Sequence, residues 1–139
     1  MPTPPDRQDL SAVTEELQSG AFAGHDLNAF LHAKRPATFC FRVDSDAMAG
    51  EGIMPGDIIF CRRDLAPRHL DLLVAVVGDR FLIRRWVERP EPLFRASNPR
   101  YPDIPVSGTP SCSIFGVVSG MVRKIQRPRG GVPETGVPR

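Results

Sequence analysis

The chain is poor in the features that mark several large classes of protein. It has three cysteines in 139 residues, Cys40, Cys61 and Cys112. The number is odd and no Cys-x-x-Cys pair occurs, which argues against a disulfide framework, a zinc ribbon or a thioredoxin-type redox motif. Cys40 and Cys61 sit inside apolar runs, so all three are expected to be small buried core residues of a protein in a reducing compartment. No apolar run approaches the ~20 residues that a membrane span needs. The first ten residues are polar and proline-rich and lack the apolar segment of a signal peptide. A cytoplasmic location without membrane attachment is expected. His25, His32 and His69 have no metal-ligand spacing, and neither a metal nor another cofactor is expected. A formal net charge of +2 leaves the chain without the clustered basic face of a nucleic-acid binder. Arg62, Arg63 and Arg68 read as a solvated face.

Turn-forming residues are abundant instead. Fifteen prolines and twelve glycines suit many short strands joined by tight turns. Hydrophobic residues make up 41% of the chain, enough for a core in one domain of this length. Three parts are expected: a largely flexible arm over residues 1–25, a folded domain over 26–126, and a disordered tail rich in proline, glycine and arginine over 127–139. Leu10, Val13 and Leu17 are at helical spacing, which allows a short helix in the arm. Residues 26–34 read better as one, capped by Asp26, with Leu27, Phe30 and Leu31 on one face and Pro36 as its stop.

Strand signals fill the rest. Residues 38–43 alternate Phe39, Phe41 and Val43 against Cys40 and Arg42, predicting a strand with one buried face. Pro55-Gly56-Asp57 predicts a tight turn, followed by a strand over 58–61. The run 72–77, the pair Gly78-Asp79 and the alternating run 80–87 form the clearest hairpin. Within it Phe81, Ile83 and Arg85 should share one face and Leu82, Arg84 and Trp86 the other. Trp86 is assigned to core or interface. Residues 93–96 form a short strand, 98–104 a loop, and a last strand begins at Ser113 and continues to Ile125.

The stretch Phe41-Arg42-Val43-Asp44-Ser45-Asp46-Ala47-Met48, followed by Ile53-Met54-Pro55-Gly56-Asp57, resembles the active-site segment of the LexA/UmuD family of Ser-Lys self-cleaving peptidases. Further matches are Phe81-Leu82-Ile83-Arg84-Arg85-Trp86, the loop Asn98 to Ile104, and Phe115-Gly116-Val117-Val118. The resemblance implies a mainly β fold: compact, curved antiparallel sheets in a barrel-like arrangement with one short helix. It also places Ala47 where that family has its nucleophilic serine, and Arg84 where it has the general-base lysine. Alanine has no oxygen with which to attack. An arginine stays protonated and cannot accept the serine proton. The resemblance therefore implies a pseudo-peptidase whose cleft is still marked by Asp44, Ser45, Asp46 and Met48. Buried on a strand, Arg84 is expected to reach a carboxylate or water, with Asp44 and Asp46 as candidates.

Too little chain precedes Thr38 for a helix-turn-helix domain and a linker, so direct sequence-specific DNA binding is not expected and the UmuD-like subgroup fits better than the repressors. That subgroup implies a homodimer, association with a UmuC-type DNA polymerase, response to a RecA filament, and translesion synthesis in the SOS response. The family often pairs through its last strand, here 113–124, making Ile114, Phe115, Val117, Val118 and Met121 the expected dimer contacts. Two alternatives stay open. One is an antagonist that heterodimerises with an intact UmuD- or LexA-like protein. The other is an active peptidase using Ser45, whose position roughly 6–7 Å along an extended chain from Ala47 is too far for an unshifted base.

Overall fold

The computed structural model describes residues 26–128. The expected flexible arm, its helix over 10–17 and nearly all of the expected tail lie outside the described residues.

The described chain is built on one antiparallel sheet of seven strands. A short helix, α1 (Leu27–Phe30), precedes β1 (Thr38–Arg42), β2 (Ile58–Arg62), β3 (Leu72–Val77), β4 (Arg80–Val87), β5 (Leu93–Arg95), β6 (Ile104–Pro105) and β7 (Cys112–Val122). In space the strands run β1-β2-β7-β3-β4-β5-β6, and the sheet curls into a half-barrel. The mainly β, barrel-like architecture expected from the resemblance is what is observed.

The β3–β4 hairpin forms at the expected residues, with Val77 opposite Arg80 across the Gly78-Asp79 turn. Gly78 supplies a φ of +64°, which a residue with a Cβ rarely adopts. Alternation along β4 sends Ile83 into one hydrophobic cluster and Trp86 against another. The first cluster gathers Val43, Met48, Ile53, Ile59, Cys61, Val74 and Ile83. The second gathers Leu73, Ala75, Phe94 and Val117, with Trp86, Ile104 and Ile114 packed on it. A fully buried side chain of the size of Phe94 or Leu73 contributes about 1.5–3 kcal/mol.

Several expectations need correction. Asp26 does cap α1, accepting from the Asn28 N–H at 3.0 Å, but the helix ends at Phe30 rather than Lys34. His32 takes a φ of +55°, outside the helical region, and the chain turns there. Leu27 and Phe30 are both exposed, and of the expected apolar face only Leu31 is half-buried, with its Cδ2 beside Gly120. Phe39 and Cys40 are exposed as well, because β1 is the outer strand and the half-barrel does not close over it. Only Cys61 of the three cysteines is buried.

The last strand stops at Val122, short of Ile125, and it is not an outer strand. Residues Val117–Val122 pair with β2, and residues Cys112–Val117 pair with β3 on the other flank, meeting at Val117. Edge pairing along all of 113–124 is therefore ruled out by the sheet order. Val117 is buried, and Ile114, Phe115 and Val118 are partly buried against the two clusters, whereas Met121 is exposed.

Candidate functional site

The connection between β1 and β2 builds the site. Val43 continues β1, its N–H donating to the Asp57 carbonyl at 2.8 Å, and the Gly56 N–H returns to the Val43 carbonyl at 2.7 Å. Gly56, at φ +97°, makes the expected Pro-Gly-Asp turn possible. Between these anchors residues 44–48 form a polar turn, followed by a short 3-10 turn over Ala49–Glu51. Met48 is buried in the first cluster and pins the turn to the core. Ala47 is fully buried.

The loop after β5 holds this turn from the other side. The Ser97 N–H donates to the Ala47 carbonyl at 2.9 Å. The Asn98 side-chain amide donates to the Asp46 carbonyl at 3.1 Å, and the Tyr101 hydroxyl donates to the Asp46 carboxylate at 2.6 Å. The Tyr101 hydrogen bond holds the Asp46 carboxyl below its usual range, helped by the Arg100 charge and opposed by desolvation; the same bond raises the Tyr101 phenol. Asp57, buried at the base of the turn, accepts from the Met54 N–H and from two nitrogens of Arg123. Arg123 and then the Met54 N–H hold its carboxyl down to about 2. Arg123 also donates to the Gly52 carbonyl, tying the end of β7 to the whole connection. Sequence reading missed Ser97, Asn98, Tyr101 and Arg123 as parts of this site. The resemblance of the 98–104 loop was the only signal for Asn98 and Tyr101, and nothing pointed to Ser97 or Arg123.

A groove of about 700 Å³ opens beside the turn. Asp44, Ser45, Arg84 and Tyr101 line it together with Phe41, Phe81 and Ile83. The structure thus brings Arg84, Asp44 and Ser45 to one groove. Asp46 faces Tyr101, and Ala47 and Met48 lie beneath in the core. The expected carboxylate partner of Arg84 is not there: Asp46 is taken by Tyr101 and Arg100, and Arg84 makes no ion pair with a described residue. The Arg84 side chain is buried, one terminal nitrogen donates to the Ile83 carbonyl at 2.9 Å, and Nε has no hydrogen-bond partner among the described residues. Its guanidinium stands 5.4 Å from the Tyr101 ring centroid, a cation–π distance. Burial pulls its pKa down and Tyr101 opposes that.

Two other arginines, Arg42 and Arg80, also line the groove. The chain has two lysines, Lys34 and Lys124, and neither lines it. The Ser45 hydroxyl accepts from the Ala47 N–H at 3.4 Å, which is a turn-holding role. Of the basic surface cluster, Arg62 pairs with Asp64, while Arg63 donates to the Phe115 carbonyl and lies over the Phe115 ring. His69 accepts from the Glu88 N–H, so it serves the fold. No helix among the described residues is long and apolar enough to cross a membrane.

Comparison with known proteins places the turn and the groove in a family context. Residues 12–119 match the family model described as Peptidase S24-like. A LexA repressor of Anaeromyxobacter sp. (strain Fw109-5) is 34% identical over 102 residues, 71% of this chain and 44% of the repressor. A second LexA repressor, from Anaeromyxobacter dehalogenans (strain 2CP-1 / ATCC BAA-258), is 35% identical over the same length. Protein ImpA of Salmonella typhimurium is 28% identical over 112 residues, 75% of this chain and 71% of that protein. The matched segment spans less than half the length of the repressors but most of ImpA.

Proposed function

Because the chain belongs to the Peptidase S24-like family, we propose that it is a catalytically inactive, UmuD-like accessory subunit of an error-prone translesion DNA polymerase, acting in the SOS response to DNA damage. Its partners on this reading are a second copy, a UmuC-type polymerase and a RecA filament. The observation that carries the proposal is the groove itself. Its lining includes the buried Arg84 and apolar walls but no lysine, which supports the reading that aligns Arg84 with the base position and Ala47 with the nucleophile. Arginine keeps its proton in proteins, and Ala47 has no nucleophilic oxygen. Ser45 is a poor substitute, since its hydroxyl accepts within the turn and the groove offers it no neutral amine.

A dimer on this reading uses the flank of β7 that the sheet leaves open. Residues 118–122 pair only with β2 among the described strands, and Met121 and Val122 are exposed beside them. The same flank suits the second reading, an antagonist that pairs with an intact relative, so the two differ in partner rather than in surface.

Intact mass after incubation at alkaline pH, with and without a RecA–single-stranded DNA filament, tests the proposal. The chain should stay whole, while the Ala47→Ser/Arg84→Lys double variant run alongside should be cut. Cleavage of the unaltered chain would overturn the non-catalytic reading and make Ser45 the first suspect. Failure to co-purify with any UmuC-type polymerase, together with binding to an intact relative, would favour the antagonist.

A further inference from the structure

Arg84 is the one buried cation that the described residues leave without a carboxylate. Its side chain is only 5% exposed. Nη1 donates to the Ile83 carbonyl at 2.9 Å, and Nε is buried with no partner among the described residues. A guanidinium in that state is costly, because water no longer solvates it and no anion replaces the water. The Tyr101 ring, 5.4 Å from the guanidinium carbon, answers part of the charge but offers no carboxylate. Acids of the neighbouring elements are already engaged: Asp46 by Tyr101 and Arg100, Glu51 by Arg85, and Asp103 by Arg95.

The groove that Arg84 lines has a volume of about 700 Å³, inside the ~300–1,000 Å³ range of small-ligand sites. Its cations outnumber its acids, Arg42, Arg80 and Arg84 against Asp44. Arg42, Arg80 and Asp44 are exposed, so water screens them, and Arg84 alone is desolvated. Phe41, Val77, Phe81 and Ile83 give apolar walls, with the Phe41 and Phe81 rings 5.0 Å apart by centroids. One desolvated cation beside apolar walls selects a monoanion with an apolar body. Inorganic phosphate would bring oxygens whose hydrogen bonds these walls cannot replace.

We propose that this groove is a binding site for a small organic carboxylate, its carboxylate paired with Arg84 and an aromatic or branched aliphatic body set against Phe41 and Phe81. A planar guanidinium takes a carboxylate through two parallel N–H···O bonds, and Arg84 has unmet donors for them. A free metabolite and the C-terminal carboxylate of a peptide ending in an apolar residue offer the same chemistry. The site does not depend on the polymerase-subunit reading, since a buried guanidinium keeps its need for an anion whatever the chain assembles with.

The test titrates the full chain, ¹⁵N-labelled at arginine, with phenylacetate and follows the Arg84 Nε–H resonance, assigned by its loss in Arg84→Met. Phenylacetate should move that resonance saturably. Phenylacetamide has the same body without the charge and should bind about tenfold more weakly or worse, the factor expected for a hydrogen bond to a charged group. Calorimetry on Arg84→Met should find the two probes binding alike. Asp44→Asn removes the one acid lining the groove, so it should tighten phenylacetate and leave phenylacetamide unchanged. Asp44 is exposed, so this variant keeps the test valid should Arg84→Met fail to fold. N-acetylglycylphenylalanine and its C-terminal amide separate the two sources. Tighter binding of the peptide acid than of phenylacetate assigns the site to chain ends, and the reverse assigns it to free carboxylates. Absence of saturable binding by either acid would overturn the proposal. Equal binding of acids and amides to the unaltered chain would do the same, as would inorganic phosphate moving the Arg84 resonance at the same concentration. The intact-mass experiment reads none of these, so the two readings fail separately.

Discussion

Gly116→Ala should be among the most damaging single-methyl additions to this chain, and Gly120→Ala, four residues along the same strand, should be nearly silent. A Cβ at Gly116 would stand 2.6 Å from the Cys61 sulfur, 2.8 Å from the Arg62 carbonyl oxygen and 3.1 Å from its carbon. Cys61 is fully buried and cannot swing away, and the other two atoms are backbone of β2. Relief requires β2 and β7 to move apart where β7 passes from one partner strand to the other. Overpacking of this kind costs about 1–3 kcal/mol, and backbone obstruction puts Gly116→Ala at the upper end. Restricting the unfolded chain returns roughly 0.5–1 kcal/mol, leaving a net loss of about 2 kcal/mol. At Gly120 the only near atom is Leu31 Cδ2 at 2.8 Å, the mobile end of a side chain, so the net change should lie within about 0.5 kcal/mol of zero. Urea unfolding followed by Trp86 fluorescence measures both, and the slope should be unchanged if only stability moves. Adding Cys61→Ala to Gly116→Ala should cost less than the sum of the two single changes, since one methyl then occupies space the sulfur gave up. A Gly116→Ala protein within about 0.5 kcal/mol of the parent, or a Gly120→Ala protein equally damaged, would refute the packing argument.

Other consequences are testable in the same preparation. Asp57 titrates near 2 in the fold and near 3.8 as an ordinary aspartate, so its contribution is fully present above about pH 4 and is lost as the pH falls toward 2. Asp57→Asn should flatten the acid limb of a stability–pH curve in that window, and an unchanged limb would count against the Arg123 clamp. Burial lifts the Cys61 thiol to about 11, whereas Cys40 is exposed. An alkylating agent at pH 8 should therefore label Cys40 first and leave Cys61 untouched until urea unfolds the chain, as peptide mass mapping would show. In Tyr101→Phe the Asp46 carboxyl should titrate higher, because the hydroxyl bond is the leading cause of its low value. A carbon-detected titration of Asp46 that did not move would assign the shift to Arg100 instead.

The parts of the fold legible in the sequence were those specified by neighbours in the chain. The β3–β4 hairpin needs only an apolar run, a Gly-Asp pair and resumed alternation, and it forms with the expected register. The Pro55-Gly56-Asp57 turn likewise depends on its own backbone. Exposure along β1 was not legible, because alternation gives the face of each side chain but not that β1 is the outer strand of the sheet. The same limit hid the place of β7: a Phe-Gly-Val-Val strand looks alike at an edge or in the middle, and the distinction rests on where β2 and β3 pair with it. The Asp57–Arg123 clamp joins residues 66 positions apart and left no local mark. Arg84 was legible as a buried strand residue, but its lack of a carboxylate was not, since Asp46 goes to Tyr101, 55 positions along the chain.

The architecture of the turn explains how a cleft of this kind can outlast its chemistry. The bonds that shape residues 44–48 run through backbone and neighbours: Ser97 N–H to the Ala47 carbonyl, Asn98 to the Asp46 carbonyl, Tyr101 to the Asp46 carboxylate, and Met48 into the core. None uses the side chain at position 47, so on the proposed reading a serine there could be lost with no structural penalty. The position of Arg84 is different. A buried lysine can shed its charge when desolvated, whereas an arginine keeps it, so replacing one by the other converts a tunable base into a fixed cation with an unmet nitrogen. That change is costly unless something answers the charge. On the proposed reading the two positions therefore differ: alanine at 47 would take away the nucleophile without disturbing the turn, and arginine at 84 would take away the base while leaving a buried charge to be answered.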